Sequence, residues 1–146
     1  MMTAFQFIAT LSTTLFAGAS IYINFVEHPA RMGCDTKTAA TVWAPSYQRA
    51  TMMQASLAIL GFLSGLTVFL LGGDILWLVG AMLIGLVVPF TFIAIMPTNR
   101  QLLTPGRDLA SCETRALLAQ WGKLHAVRSV LSFIAALVYL GLLVYA

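Results

Sequence analysis

The sequence predicts an all-α integral membrane protein, a four-helix bundle built as two helical hairpins in a single membrane domain over residues 1–146. Three observations carry that expectation. Hydrophobic residues make up 60% of the 146-residue chain and charged residues only 9%, whereas soluble domains carry about 25% charge. A soluble chain this short would bury only about two-thirds of its surface, too little for this much Leu, Ile, Val, Phe and Met. And the apolar residues fall into four runs, each about as long as the roughly 20 residues that cross a bilayer.

The first run covers residues 4–26 and holds no charge. No Lys or Arg precedes Arg31, so it lacks the basic start of a cleaved signal peptide and is read as a retained span. The second covers 52–71 and the third 75–96. The fourth is apolar from Ser129 onward, but Arg115, Leu118, Trp121 and His125 keep helical spacing without an intervening Pro, so the span is set at 114–145. Gly72-Gly73-Asp74 makes a tight, non-basic turn between the second and third. The other two connections hold every Lys and Arg: Arg31, Lys37 and Arg49 in one, Arg100, Arg107, Arg115, Lys123 and Arg128 in the other. The positive-inside rule then places both long connections in the cytoplasm, at a cell or inner membrane, and both termini on the outer side. The net charge of +3 is thus explained by orientation, and no nucleic-acid partner is expected.

Smaller signals fill in the connections. Residues 36–43 are expected as a short interfacial helix, with Trp43-Ala44-Pro45-Ser46-Tyr47 marking re-entry at headgroup level. Pro105-Gly106 marks a turn, and Pro89 is expected to kink the third span. Gly61-Phe62-Leu63-Ser64-Gly65 is a GxxxG that lets a helix approach closely, either an internal neighbour or a second copy in a homo-oligomer. Both odd spans end in Pro and a basic residue, at Pro29-Ala30-Arg31 and Pro97-Thr98-Asn99-Arg100, a faint internal repeat. Cys34 and Cys112 lie in polar connections with no CxxC or zinc spacing. They read as reduced thiols unless their loops face an oxidising compartment.

Polar residues gather at the basic end of all four spans. Asn24, Glu27, His28 and Arg31 close the first; Gln54 opens the second; Asn99 and Arg100 come after the third; Trp121, His125 and Arg128 lead into the fourth. His28 lies about 36 Å of helix from Ala4, and His125 about 30 Å from Tyr145, so the two reach similar depth at about 1.5 Å per residue. Spacings of three and four put Asn24 with Glu27 and His28, His28 with Arg31, and Trp121 with His125 and Arg128 on shared faces. Ionisable groups at membrane depth turn inward or toward water. Helix-end charges also snorkel, which accounts for Lys37, Arg100, Arg107, Arg115 and Lys123.

Such a pocket suits acid–base chemistry, with His28 or His125 as base and an arginine beside the resulting anion. His28, His125 and Glu27 also match a two-His-one-carboxylate iron set, and one or both histidines could ligate haem. A binding or transport protein for a small lipophile or anion would use the same pocket without chemistry, and an assembly role would use the GxxxG and Trp43. No Walker loop, dinucleotide fingerprint or HExxH occurs.

Four ordered motifs carry a resemblance across nearly the whole chain: Asn24-Phe25-Val26-Glu27-His28-Pro29-Ala30-Arg31; Ser46-Tyr47-Gln48-Arg49-Ala50 with Met53-Gln54; Ile95-Met96-Pro97-Thr98-Asn99-Arg100; and Trp121-Gly122-Lys123-Leu124-His125-Ala126-Val127-Arg128. Together these resemble the anthrone-oxygenase-like family of small four-helix membrane proteins. The resemblance implies oxidation of a lipophilic anthrone-, phenol- or quinol-like substrate by molecular oxygen, with no cofactor strictly required. It further implies catalytic roles for His28, His125, Glu27, Arg31 and Arg128, and substrate contacts from Asn24, Tyr47, Gln54, Asn99 and Trp121.

Overall fold

A computed structural model describes residues 1–145 of the protein. Four helices account for the fold: α1 Met2–Met32, α2 Thr36–Leu70, α3 Ile75–Leu102 and α4 Cys112–Tyr145, each long and apolar enough to cross a membrane. They form an antiparallel bundle in which α1 packs on α2 and α4, and α3 likewise packs on α2 and α4. The distribution of apolar residues is that of a protein dissolved in lipid. Phe25, Ile93, Met52 and Leu70 project outward, while the groups that water would normally solvate, Ser20, Gln54, Asn99 and His125, are buried. Helices suit this solvent because every backbone hydrogen bond is made within the segment.

Three interior layers run along the bundle. Trp43, Ile95, Leu118 and Trp121 pack at the end that carries the long connections. Phe16, Ala58, Ile84 and Ala135 fill the middle, and Ala9, Val68, Trp77 and Tyr139 the far end. Tyr139 shows how small residues serve this packing. Its ring stacks on Trp77 with centroids 5.0 Å apart and occupies the space that a side chain at Gly65 or Gly80 would need. Gly61 meets Thr13 and Ile84 in the same way. The GxxxG face is therefore filled by the chain's own helices, as close approach at small residues allows.

The helices are longer than the apolar runs. The expected interfacial helix and re-entry point at residues 36–47 belong to one continuous α2, with Pro45 inside it. Asp35 starts this helix: its carboxylate accepts from the Thr38 backbone N–H at 3.0 Å and the Thr38 hydroxyl at 2.6 Å, the usual N-terminal cap. Those bonds hold the Asp35 carboxyl below its ordinary range. Ser111 does the same for α4, accepting from Thr114 N–H at 3.1 Å. Two π-type turns interrupt the odd helices, Ile23–Glu27 in α1 and Thr91–Ile95 in α3. Each lies just before a proline, Pro29 and Pro97. Cys34 and Cys112 are exposed, free thiols.

Candidate active site at the basic end of the bundle

The π-type turn in α1 matters because it carries Asn24 and Glu27. Such turns are rare and concentrate at functional sites. Asn24 faces α4. Its amide nitrogen donates to the Gly122 carbonyl at 3.0 Å, which turns its oxygen toward His125 Nδ1 at 2.7 Å and the Ser129 hydroxyl at 2.6 Å. An amide oxygen only accepts, so His125 must carry its proton on Nδ1. The Nε2 lone pair is left available. The ring is 1% exposed.

Arg128 lies one turn further along α4. It is 7% exposed, donates from Nη2 to Gln54 Oε1 at 2.9 Å, and sits 5.4 Å over the Phe16 ring. Gln54 is itself anchored by donating to Ser20 at 3.1 Å. Among the described residues Arg128 has no carboxylate partner, and its Nε has no hydrogen bond. A guanidinium buried without an anion is costly at membrane depth, so this charge calls for a negative or strongly accepting ligand.

Arg31 differs. It pairs with Glu27 on the next turn of its own helix, and the Ser46 hydroxyl donates to the same carboxylate oxygen. Its charge is already answered. Glu27, Arg31, Ser46, Tyr47, Gln54, Trp121, His125 and Arg128 line one cavity of about 10 Å³, room for about one water molecule.

Of the expected residues, then, Glu27, Arg31, Tyr47, Gln54, Trp121, His125 and Arg128 come together, with Asn24 behind His125. Two do not. His28 is buried at the matching depth but packs on Trp121, centroids 5.3 Å apart, with Trp121 also 4.9 Å from His125; it does not line the cavity. Asn99 is fully buried, with both amide atoms unpartnered, and stands outside the cavity. Counting residues gave the depth, and the spacing of four put Asn24 and His28 on one face: Asn24 bonds the Gly122 carbonyl and His28 packs beside Gly122, but the Trp121 indole stands between His28 and His125. The hydroxyls of Ser20, Ser46 and Ser129 were missed. Ser20 and Ser129 each lie one helical turn from a predicted residue, Asn24 and His125, and that spacing was the available signal.

The residues do not fit iron or haem. Glu27 is taken up by Arg31 and Ser46, Trp121 packs against both imidazoles, and among the described residues no three His, Cys, Asp or Glu side chains are grouped to hold a metal ion. A cavity of about 10 Å³ has no space for a macrocycle.

These features define a class: a multi-pass membrane four-helix bundle with buried His125–Asn24 and Arg128–Gln54 hydrogen bonds between its first, second and last helices. The family model for anthrone oxygenase matches residues 43–138, and the chain belongs to that family. The match takes in Tyr47, Gln54, Trp121, His125 and Arg128. No curated protein and no solved structure gives a match.

Proposed function

We propose that the protein is a cofactor-independent membrane oxygenase that oxidises a lipophilic anthrone-, phenol- or quinol-like substrate with molecular oxygen. The observation that carries this reading is the juxtaposition of His125, its proton fixed on Nδ1 by Asn24, with Arg128, a buried cation lacking a carboxylate partner, in one cavity. In an anthrone the ring carbonyl acidifies the opposite CH₂. His125 Nε2 takes one of its protons, and the electron pair moves onto the carbonyl oxygen. Arg128 stabilises that oxyanion where charge develops. The carbanion passes an electron to O₂ and recombines with the superoxide so formed, giving a peroxide anion. The His125 proton returns to the peroxide. Loss of the remaining C–H proton with cleavage of the O–O bond then yields the quinone and one water. Oxygen is the oxidant and the substrate carbon is oxidised. No metal is required, since the stabilised carbanion supplies the electron.

Glu27 and Arg31 complete the cavity lining, and Trp121 and Tyr47 offer flat aromatic faces to a ring. His28 acts as a positioning residue, holding Trp121 against His125. Because all eight Lys and Arg fall on the connections and helix ends of one side, the site is assigned to the cytoplasmic end.

The test is oxygen uptake and anthraquinone formation from anthrone by the full chain in nanodiscs. His125→Ala should lower kcat/KM by about 10²–10⁴, and Arg128→Gln by about 10²–10³. A wild-type protein that returns anthrone unaltered sinks the oxygenase reading and leaves a binding protein.

A further inference from the structure

The polar cavity is far smaller than a fused-ring substrate, so the body of the molecule must lie elsewhere. Tyr47, Thr51, Gln54 and Arg128 line the polar cavity on one side and, on the other, a cleft of about 100 Å³ between α2 and α3. Apart from Thr91, the rest of that cleft is apolar, with Phe16, Ala55, Val87, Phe92 and Met96 around it. Through Ala58 and Val88 it runs on into a groove of about 400 Å³ on the bilayer face, between Phe62 and Leu63 of α2 and Met82, Leu86 and Pro89 of α3. Small-molecule sites have this form: several hundred Å³ of apolar lining with a few convergent polar groups.

We infer that the substrate reaches the His125–Arg128 cavity sideways from the bilayer, through this seam between α2 and α3, and keeps its apolar body in the seam while its oxygen meets Arg128. This deepens the oxygenase reading and rests on it. Charge supports the occupant: among the described residues Arg128 is the one charged side chain lining either the cleft or the groove, and it stands at their inner end. An acyl chain fits the groove by polarity but brings no acidic group to that cation. A flat molecule with an acidic phenol or enol and an apolar remainder answers both ends. The seam is also where α3 departs from regular geometry. Pro89 has no N–H to donate to the turn before it, and the π-type turn begins at Thr91, whose hydroxyl bonds the Val87 carbonyl at 2.7 Å. The helix is locally widened beside the opening.

The experiment is photolabelling with para-hydroxybenzophenone, a phenolic lipophile that inserts into nearby C–H bonds, on the full chain in phosphatidylcholine nanodiscs. Adducts are mapped by mass spectrometry beside anthrone-dependent oxygen uptake. Labelling is expected on the Met82 and Met96 segments and competed by anthrone. Val88→Trp, which fills the seam, should reduce both that labelling and kcat/KM by about tenfold. Val130→Trp, on the lipid face of α4, should change either by less than about twofold. Adducts that anthrone does not displace, as for a groove filled by lipid chains, or labelling spread evenly over all four helices, overturn the seam. So does a Val88→Trp protein that behaves as Val130→Trp does. The two readings fail separately. Displaceable seam labelling without oxygen uptake removes the oxygenase and keeps the seam, while turnover sensitive to His125→Ala but indifferent to Val88→Trp removes the seam alone.

Discussion

In α1 a π-type turn at Ile23–Glu27 precedes Pro29; in α3 one at Thr91–Ile95 precedes Pro97 at the same spacing. The second helices match as well. Ala39, Ala40 and Trp43 are buried near the start of α2, and Leu117, Leu118 and Trp121 near the start of α4. The two indoles meet edge to face, centroids 5.9 Å apart. The hairpins α1–α2 and α3–α4 thus share one plan, and placing one on the other pairs Asn24 with Phe92, Glu27 with Ile95, Arg31 with Asn99, Tyr47 with His125 and Ala50 with Arg128. The α1–α4 crossing carries Asn24, His125 and Arg128, with Glu27 and Arg31 beside it on Ser46 of α2. The corresponding crossing of α3 against α2 holds Phe92, Ile95, Asn99, Tyr47 and Ala50. A single backbone arrangement therefore carries the charged side chains on one side and uncharged ones on the other. The seam inferred above lies on the uncharged side.

This comparison can be broken at paired positions. The largest contrast is expected between His125 and Tyr47. His125→Ala removes the base, at a cost of about 10²–10⁴ in kcat/KM, whereas Tyr47→Phe keeps the stacked ring against Trp43 and should cost less than about tenfold. Oxygen uptake by both variants in parallel reads the difference, and similar losses would mean the two crossings are not chemically distinct.

Next come Arg31 and Asn99, measured as unfolding free energy in mixed detergent. Arg31→Leu leaves Glu27 without its cation and should destabilise by about 2–3 kcal/mol, below the range for a fully buried pair because the Glu27 side chain keeps 30% exposure. Asn99→Leu should be neutral or stabilising, since both amide atoms of Asn99 are already unpartnered and replacing an unsatisfied buried polar group removes its desolvation cost. A large loss at Asn99 would reveal a partner for it.

Gly122 and Ala44 make a smaller contrast. A Cβ at Gly122 would sit 2.5 Å from His28 Nε2, so Gly122→Ala should cost about 1–2 kcal/mol through overpacking. Ala44, its counterpart, already carries a Cβ, half-buried against the Trp43 layer, and Ala44→Gly should cost about 1 kcal/mol, mainly through helix propensity. Calorimetric midpoints distinguish them.

The smallest effect concerns the caps. Asp35→Ala should lower the thermal midpoint of the protein slightly. Hydrogen bonds from Thr38 hold the native Asp35 carboxyl below its ordinary range, so the cap stabilises above the unfolded-state pKa and fades as pH falls through the folded one. The gap between wild type and variant should accordingly close in acid. Ser111→Ala at the start of α4 should show no such pH dependence, because a serine hydroxyl does not titrate in that range.

The sequence by itself determined the number of helices, their membrane character, the turn at Gly72-Gly73-Asp74 and the depth of the polar cluster. Hydrocarbon thickness and a fixed rise per residue translate composition directly into those features. It also marked His125, Arg128, Gln54 and Glu27, because ionisable and amide groups beside apolar spans are few and conspicuous. It did not determine which of them meet. Regular spacing of three and four put His28 and Asn24 on one stripe, and both do meet α4 at Gly122, but the Trp121 indole stands between His28 and His125 and leaves His28 behind the wall. Arg31 and Arg128 looked equivalent as charges; only packing shows that Glu27 pairs with one while among the described residues no carboxylate pairs with the other. Likewise Gly61 and Gly65 announced a close approach without naming the Thr13 and Tyr139 that make it. Partner choice across helices depends on rotation and register between segments far apart in the chain, and one-dimensional spacing does not encode either.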